Sequence, residues 1–368
     1  MFLLGQCQAF IKAISDTPIL PQHHQQLLNV SLIRGAQATT AIEGNTLSES
    51  EIRRIYQGEK LPPSKEYQQI EVQNILTAFD QLLNEIIFQQ KVSLITPKLI
   101  KRLHILVSQN LGKHLDAVPG KFRNDDRSVG TYRAPEYRDV DELVTKLCNW
   151  LPIEFNIGRD QQFHEVLIEA IVAHIYLEWI HPFGDGNGRT GRLLEFYILL
   201  RGGNPDIASH ILSNHYNNTR SEYYRQFDLA RDKKDLTDFI EYSLLGFRDG
   251  LEKTLEVIQQ SQHEITWKNH IYSKFSQIKI GSEAVFKRRR NLILAFPIDQ
   301  SKTLSEIRLL TPKIAQIYAT ISDRSLLRDL KELREMNLLK YSSGRYTANF
   351  GTVRSYVALR PKQLKISP

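Results

Sequence analysis

The chain has 368 residues, of which 41% are hydrophobic and 24% are charged. This composition is typical of a folded globular protein and excludes a disordered or collagen-like chain. Only Cys7 and Cys148 are present, which excludes a disulfide framework and favours a reducing compartment. The N-terminus lacks the features of a signal peptide, and no apolar run is long enough to span a membrane. We therefore expect a cytoplasmic protein without a membrane partner.

The net charge of +7 is unevenly distributed along the chain. Residues 270–368 contain 19 Lys and Arg against 7 Asp and Glu, whereas residues 1–269 contain 29 against 34. An acidic part followed by a basic part suggests separate domains with different partners. The basic part could contact nucleic acid, although a solvated basic surface explains the charge more simply.

Helical spacing of apolar residues dominates the first 260 residues. Ser48 and Glu51 have the spacing of a capping box at the start of one helix. Turn-forming residues alternate with valine and tyrosine over residues 120–137, which predicts a small hairpin. The other predicted helices cover residues 24–42, 66–89, 141–151 and 163–180.

The last part of the chain has a different pattern. Ser322 can cap a helix there, and a short basic run precedes it at residues 287–290. The apolar positions of this helix are Leu326, Leu330, Leu333 and Met336. Two short strands with a turn at residues 342–344 follow, and this order is typical of a winged helix-turn-helix.

The segment 181–192 carries the chemistry, and it reads His-Pro-Phe-Gly-Asp-Gly-Asn-Gly-Arg-Thr-Gly-Arg between two apolar helical segments. Unpaired N–H groups at a helix start attract anions, and glycines let a phosphate approach them closely. Arg189 and Arg192 share one helical face and can bind further phosphate oxygens. Asp185 suits Mg²⁺ bound to phosphates, and His181 is a candidate base for an attacking hydroxyl. These residues predict a phosphoryl- or nucleotidyl-transfer site.

Two known phosphate-binding loops are excluded, and one structural alternative stays open. The segment is not a Walker A loop, because no Gly-Lys-Ser/Thr follows, and it is not a dinucleotide fingerprint, because no strand precedes it. The alternative is a glycine-rich turn between two helices, with His181 as a helix cap and the arginines on the surface.

The segment matches, at every defining position, the Fic motif His-x-Phe-x-Asp/Glu-Gly-Asn-Gly-Arg-x-x-Arg. The chain therefore resembles a Fic-domain protein adenylyltransferase, which transfers AMP from ATP to a Ser, Thr or Tyr hydroxyl of a target protein. The resemblance implies that His181 is the general base, that Phe183 anchors the loop and that Asp185 binds Mg²⁺. It implies nucleotide contacts by Gly186, Asn187, Gly188, Arg189, Thr190, Gly191 and Arg192. The related Doc branch, which transfers a terminal phosphate, has Lys at the position of Gly188, so the glycine favours AMP transfer.

Two further regions fit this resemblance. The predicted hairpin lies where the family has its flap, which holds a target segment by strand addition. The flap residues are Val129, Gly130, Thr131 and Tyr132. Residues 216–224 resemble the helix that lines the adenine pocket and include Tyr223 and Tyr224, for which core packing is an equally good explanation. The resemblance also implies a nucleotide contact by Arg231.

Residues 39–44, Thr-Thr-Ala-Ile-Glu-Gly, resemble the Fic inhibitory motif Ser/Thr-x-x-x-Glu-Gly/Asn. Thr39 and Glu43 are four residues apart and share one helical face. A bidentate pair between Glu43 and Arg192 would remove the arginine that orients the γ-phosphate, so we expect autoinhibition. The alternative is an ordinary glutamate at the end of a helix. In some Fic enzymes this glutamate also positions the water that removes AMP.

The sequence therefore predicts a mainly α protein that contains a Fic helical core, a small hairpin flap and a C-terminal winged helix-turn-helix. The predicted domains are an N-terminal helical region with the inhibitory motif over 1–110, the Fic core over 111–255 and the winged helix over 280–360. ATP is the expected substrate and Mg²⁺ the expected cofactor. The expected partners are a target protein, with the chain itself as a further candidate target, and a partner of the winged helix, for which both DNA and protein stay open. The open alternative is a DNA-binding regulator whose Fic-like domain only senses nucleotide, although such a sensor would not need His181.

Overall fold

The structure is a computed structural model that describes residues 1–130, 132–157, 161–278, 282–298 and 300–354. These residues form helices and two short antiparallel hairpins, which confirms the predicted mainly α fold class. The chain divides into two compact units, Met1–Ile258 and Gln259–Pro368. No helix in the described part of the chain has both the length and the apolar character needed to cross a membrane.

The first unit begins with five helices. They are α1 (Phe2–Asp16), α2 (Pro21–Ile42), α3 (Glu49–Tyr56), α4 (Glu66–Leu83) and α5 (Pro97–Ser108). Pro21 stands in the first turn of α2, where an N–H group would have no helical partner. The predicted capping box is confirmed at α3, because Ser48 Oγ accepts from the Glu51 N–H and the Glu51 carboxylate accepts from the Ser48 N–H.

The helix predicted over residues 66–89 is shorter in the structure. α4 ends at Leu83, and a π-helical turn, Asn84–Phe88, follows it. Gln90 then adopts a left-handed backbone conformation with φ of 52°. The apolar pattern contained no stop signal, because Ile86 continues the spacing and is buried.

A hairpin and six helices complete the regular structure of this part of the chain. The hairpin pairs β1 (Ser128–Val129) with β2 (Tyr132–Arg133), as predicted for residues 120–137. The helices are α6 (Val140–Glu154), α7 (Phe163–Ile180), α8 (Asn187–Arg201), α9 (Ile211–Asn218), α10 (Arg220–Lys233) and α11 (Thr237–Ser276), and the boundary between the two units falls within α11. The helix predicted over 163–180 is confirmed at both ends.

Helices α7 and α8 lie at the centre of the first unit and pack along each other. Every residue of α8 except Arg201 is buried. A helix buried on all sides must find partners for its polar side chains inside the protein, because an unpaired buried polar group costs about 1–3 kcal/mol. The polar residues in the first two turns of α8 find these partners, and their arrangement forms the site described below.

The second unit contains five helices and the second hairpin after α11. They are α12 (Glu283–Leu294), α13 (Leu304–Arg308), α14 (Pro312–Ala319), α15 (Asp323–Glu335), β3 (Leu339–Ser342), β4 (Arg345–Ala348) and α16 (Gly351–Arg354). Ser322 caps α15 as predicted, and Met336 lies at the other end of that helix. Ser343 and Gly344 form a left-handed two-residue turn between β3 and β4. Lys302 forms an isolated antiparallel bridge with Tyr346 of β4.

The core of the second unit is small and contains one charged group. The three leucines of α15 that were predicted to face inward are buried: Leu326, Leu330 and Leu333. Asp329 on the same helix is also buried and accepts hydrogen bonds from Arg288, Arg289 and Tyr318. The acid therefore neutralises part of the basic run at residues 287–290, which lies on α12.

Candidate active site

The loop between α7 and α8 is fixed by its own side chains. His181 ends α7 in a left-handed conformation with φ of 50°, which is uncommon for a residue other than glycine. Asn187 closes the loop, because its side-chain amide accepts from the Phe183 N–H and donates to the Phe183 carbonyl, each at 2.9 Å. The Asn187 side chain is thus committed to the loop, and the backbone N–H groups in the first turn of α8 remain available to an anion.

His104 of α5 packs against the same loop and forms hydrogen bonds that stabilise it. Its ring stacks on Phe183 with 3.7 Å between ring centroids. Its Nδ1 accepts from the Gly120 N–H at 2.9 Å, so Nε2 carries the proton and donates to the Asp185 carbonyl at 2.9 Å. Burial lowers the pKa of His104 to about 4, which keeps the ring neutral at physiological pH and preserves both hydrogen bonds.

Neighbouring side chains leave little free space around the glycines at the start of α8. Gly186 has φ of 81°, which favours glycine, and its N–H donates to its neighbour Asp185. A Cβ atom on Gly188 would lie 2.3 Å from Glu43 Oε1, so the Glu43 carboxylate rests directly on the first turn of the helix. Thr190 Oγ donates to the Gly186 carbonyl at 2.7 Å and stabilises this turn from within.

Arg189 is held by two carboxylates. Its guanidinium pairs with Glu71 of α4 and lies 3.2 Å from Asp185 Oδ1. Glu71 is buried and also accepts from Tyr67 and Asn45. The sequence assigned Arg189 to phosphates but gave no indication of the glutamate 118 residues away that pairs with it.

Arg192 contacts both residues of the predicted inhibitory motif. It is 2% exposed, and its Nε donates to Thr39 Oγ at 2.8 Å. Its Nη2 donates to the Thr39 carbonyl and to Glu43 Oε1, the latter at 2.6 Å. The expected bidentate pair with Glu43 was wrong, because Thr39 occupies the other edge of the guanidinium. Burial is the largest single influence on the pKa of Glu43 and raises it. The charge and hydrogen bond of Arg192, together with the charges of Arg189 and Arg220, outweigh burial and hold that pKa below the ordinary value.

The surroundings of His181 favour the neutral form of its imidazole ring. Partial burial lowers its pKa, and the nearby Arg123 charge lowers it further. The backbone carbonyl of Glu178 and the carboxylates of Glu43 and Asp185 act in the opposite direction without reversing the shift. A neutral imidazole can accept a proton from a hydroxyl near pH 7.

The hairpin is anchored near the end of α7. Tyr132 donates its hydroxyl hydrogen to the Trp179 carbonyl at 2.6 Å, and the Arg231 guanidinium lies 5.0 Å from the Tyr132 ring. Arg231 also pairs with Asp228 and Asp232, so its contacts in this structure are with the hairpin and its own helix. Val129 and Gly130 are exposed at the tip, whereas Thr131 lies outside the described residues.

The two tyrosines of α10 differ in their environments. Tyr223 is buried, its hydroxyl is 3.0 Å from His174 Nε2, and its ring stacks on Tyr216. Tyr224 is exposed, and the Arg220 guanidinium lies over its ring. Tyr223 therefore has the contacts expected of core packing, and Tyr224 is the one accessible from solvent.

Glu178 is a partly buried acid that the sequence did not indicate. Its Oε1 has no hydrogen-bond partner in the described residues and would lie 2.8 Å from a Cβ atom on Gly191. Burial, reinforced by nearby Glu43 and Glu195, raises its pKa to about 7, although His174 and Arg192 oppose that shift. Its position three residues before His181 is the only sequence signal that could have found it.

Residues 94–199, which include α7, this loop and all but the last two residues of α8, match the model of the Fic/DOC family. The chain contains a Fic domain. This finding confirms the family predicted from segment 181–192.

Curated relatives of this Fic-domain chain include two animal enzymes. The protein adenylyltransferase fic-1 of Caenorhabditis briggsae is 32% identical over 206 residues, which are 55% of this chain and 37% of that protein. The protein adenylyltransferase Fic of Drosophila ananassae is 33% identical over 222 residues, 60% of this chain and 40% of that protein. The chain thus spans about two fifths of the length of these relatives.

Two solved structures are similar to this Fic-domain chain. A Fic family protein from Desulfovibrio desulfuricans has a TM-score of 0.57 at 21% identity, covering 94% of this chain and 95% of that one. A Fic domain containing signaling protein from Bacteroides thetaiotaomicron has a TM-score of 0.58 at 20% identity, covering 70% of this chain and 98% of that one. At these identities the similarity establishes the fold.

Proposed function

We propose that the chain is a protein adenylyltransferase that transfers AMP from ATP to a Ser, Thr or Tyr hydroxyl of a target protein. The observation that carries the proposal is the neutral His181 beside a helix start that is lined with glycine N–H groups and arginines. The names of the curated relatives, all protein adenylyltransferases, support the same activity.

The reaction follows from the chemistry of these residues. His181 takes the proton from the target hydroxyl, and the hydroxyl oxygen attacks the α-phosphorus of ATP. A new oxygen–phosphorus bond forms as the bond to the β-phosphate oxygen breaks, and pyrophosphate leaves. The N–H groups of Asn187 and Gly188 stabilise the negative charge on the phosphates, Gly186 provides the left-handed start of the turn, and Arg189 and Arg192 bind the remaining oxygens. Thr190, Gly191, Tyr223, Tyr224 and Arg231 complete the proposed nucleotide site.

Asp185 is the residue that fits Mg²⁺. Its side chain is one-third exposed beside the first turn of α8, and only its Oδ1 is engaged by Gly186 and Arg189. No cluster of three or more His, Cys, Asp or Glu side chains suited to a metal occurs in the described residues. An ion at this place would therefore be shared between Asp185 and the substrate phosphates, which is how Mg²⁺ commonly binds. When bound, Mg²⁺ neutralises charge on the departing pyrophosphate.

Glu43 acts as an inhibitor in this proposal. Its carboxylate lies against Gly188 and on Arg192, where a γ-phosphate would otherwise meet the helix start and its arginine. ATP bound around this carboxylate is displaced from the position needed for in-line attack, and a 1 Å displacement can reduce a rate about 100-fold. The same carboxylate is close enough to the phosphate site to position water for removal of AMP from a modified target, which we include as a second activity of this site.

The hairpin supplies a docking edge for the target. A two-stranded ribbon leaves backbone N–H and C=O groups unpaired along its outer edges, and an extended segment can pair with them. Val129, Gly130, Thr131 and Tyr132 form the proposed flap at this edge. The same edge could accept an accessible segment of a second copy of the chain, so self-transfer belongs to the proposal.

One labelling experiment tests the activity. The natural chain and the Glu43→Gly variant are incubated with α-labelled ATP and cell lysate, with and without EDTA. We expect label on protein, more of it with Glu43→Gly, and a sharp decrease in EDTA. Label from γ-labelled ATP on the same proteins, with none from α-labelled ATP, would contradict adenylyl transfer, because only AMP transfer retains the α-phosphorus.

A second function, DNA contact, is favoured by one feature of the second unit. We propose that α12–α15, β3 and β4 form a winged helix, as the sequence pattern over 280–360 predicted. Arg324, Arg328 and Lys331 lie on one exposed face of α15. Neither arginine forms an ion pair in the described part of the chain, and Lys331 is 3.7 Å from Glu335. A basic helix face of this kind can follow the phosphates of a duplex.

A gel shift with duplex DNA tests this second function. The natural chain should bind with an affinity that falls as salt rises. Replacing Arg324, Arg328 and Lys331 by Ala should reduce the slope of log affinity against log salt by roughly one for each lost phosphate contact. Equal binding by the natural and substituted proteins would contradict DNA contact through α15.

A further inference from the structure

Arg123 is a buried arginine next to the catalytic loop that no motif in the sequence indicated. It is 6% exposed, and no carboxylate lies within ion-pair distance of it in the described residues. A buried cation without a paired carboxylate is unusual, because the charge loses hydration without gaining a partner of opposite sign. Arg123 must therefore be stabilised by neutral acceptors.

Three backbone carbonyls accept from the guanidinium, and a fourth accepts from the Arg123 backbone N–H. The side-chain Nε of Arg123 donates to the His181 carbonyl at 2.8 Å, and its backbone N–H donates to the Pro182 carbonyl at 2.9 Å. The Nη1 donates to the Asp125 carbonyl at 2.7 Å, and Nη2 donates to the Pro135 carbonyl. One residue thus binds the backbone of the base and of the residue that follows it.

The other two acceptors lie on opposite sides of the hairpin. Asp125 precedes β1 and Pro135 follows β2, so the guanidinium holds the two stems of the flap together. The Arg127 carbonyl also accepts from the Ala134 N–H at 3.1 Å, which closes the stem next to these contacts. The fork of an arginine can reach several carbonyls in one plane, whereas a lysine ammonium is a point charge on a flexible stem.

We propose that Arg123 is a positioning residue that fixes the backbone of His181 relative to both stems of the flap, so that the base and the hydroxyl of a flap-bound target keep one geometry. This inference rests on the adenylyl transfer proposed above. His181 adopts a left-handed backbone conformation, and the hydrogen bond from Arg123 to its carbonyl helps to hold it there.

The charge of Arg123 gives the proposal a second consequence. Besides burial, four groups influence the pKa of His181: the Glu178 carbonyl, Arg123, Glu43 and Asp185. Arg123 is the only one of them that lowers the pKa of His181, in addition to burial. Removing its charge should therefore raise the pKa of His181, and the acid limb of the pH–rate profile should move to higher pH.

Two substitutions separate geometry from charge. They are made in the Glu43→Gly protein, and the rate of self-transfer at saturating α-labelled ATP is measured from acid to neutral pH. We expect Arg123→Gln to lower this rate about 10- to 100-fold and to leave the KM for ATP unchanged. The acid limb of its pH–rate profile should move to higher pH. Arg123→Lys keeps the charge but not the fork, so it should lose rate while its acid limb stays in place. Arg138→Gln, an exposed arginine near the hairpin, is the matched control and should change neither quantity.

A titration without turnover distinguishes failure of this inference from failure of the proposed function. NMR spectra of the natural, Arg123→Gln and Arg138→Gln proteins are recorded as a function of pH. The ring signal of His181 is identified as the one that is missing from the spectrum of His181→Ala. If the Glu43→Gly protein transfers no AMP, the proposed function fails, and the titration still tests Arg123. Should Arg123→Gln prove unfolded, Arg123→Lys carries the rate test. Rates in both Arg123 variants equal to that of the control, or a His181 titration unchanged in folded Arg123→Gln, would overturn the proposal.

Discussion

Helix α8 is held at its first turns by two groups of residues that differ in burial and charge. The loop lock consists of Phe183, Asn187 and His104, and the brake consists of Thr39, Glu43 and Arg192. All three residues of the loop lock are buried, and their contacts are neutral. In the brake, Arg192 is buried, but the side chain of Glu43 is 33% exposed and makes one contact with it.

The difference indicates which group can open. Neutral hydrogen bonds in a dry core are costly to leave unmade, so the loop lock should persist throughout the reaction. An ion pair with a solvated partner is worth little, because water replaces much of the interaction when it separates. In the proposed function, the loop lock is therefore a permanent support for the turn that would bind phosphate, and the brake is a reversible block on the same turn.

The largest effect should follow removal of the base that the loop carries. His181→Ala should reduce AMP transfer by about 100- to 10,000-fold, the usual range for loss of a general base. ATP binding and thermal stability should stay close to those of the natural protein, because the loop lock does not use the imidazole. The measurement is labelling from α-labelled ATP in the Glu43→Gly protein with and without the second substitution, alongside thermal unfolding. Full activity without His181 would remove it from the mechanism.

The next largest effect should be a gain when the brake is removed. Glu43→Gly should raise transfer by roughly 10- to 100-fold, since ATP can then take the position for in-line attack, and a displacement of about 1 Å from that position can reduce a rate about 100-fold. Rates of labelling of the natural and substituted proteins give the ratio directly. Glu49→Gln, which changes a half-exposed acid on α3 that pairs with Arg34 and Arg53, is the control and should leave the rate unchanged. A ratio of one in a folded protein would remove Glu43 as an inhibitor.

Substitutions in the loop lock should change the stability of the protein, whereas substitutions in the brake should change its activity. Asn187→Ala leaves the buried Phe183 N–H and C=O without their partner and should lower the free energy of unfolding by about 1–3 kcal/mol. Glu43→Gln should change it much less. Urea unfolding of both variants makes the comparison, and equal losses would show that the two groups do not differ as we describe.

The smallest effect concerns pH. Because Arg192 holds the pKa of Glu43 below its ordinary value of 4.5, the folded state gains stability from this group above that value and loses it as pH falls below. The exposure of Glu43 limits the contribution to under about 1 kcal/mol. The difference in unfolding free energy between the natural protein and Glu43→Gln should therefore shrink between neutral pH and pH values below the ordinary pKa. A difference in unfolding free energy that grows on acidification would contradict this prediction.

The sequence predicted the parts of the molecule that depend on local pattern. α7 ends where its apolar run ends, the capping box at Ser48 forms, and the Fic motif identifies His181 and the turn that follows it. The contact between Glu43 and Arg192 was also predicted, because a family motif stands for a tertiary contact in this case, whereas the contacts of Thr39 with Arg192 were not.

The contacts that the sequence did not predict join residues that are far apart along the chain. Glu71 pairs with Arg189 across 118 residues, and Arg123 reaches His181 across 58. His104 lies 81 residues from the loop that it supports. No periodicity encodes such pairings, because they arise only when separate helices pack together. The single-contact form of the Glu43–Arg192 pair was missed for the same reason, since it depends on where the Thr39 hydroxyl lies.

The central claim is that Glu43 inhibits by occupying Arg192, and a double-substitution cycle tests it most directly. AMP transfer is measured with α-labelled ATP for the natural protein, Glu43→Gly, Arg192→Ala and the double variant, each checked for folding. We predict that Glu43→Gly activates the natural protein but gives no activation when Arg192 is already Ala, because residues in direct contact are strongly non-additive. Equal activation by Glu43→Gly in both backgrounds would contradict the claim, because Glu43 would then act without Arg192.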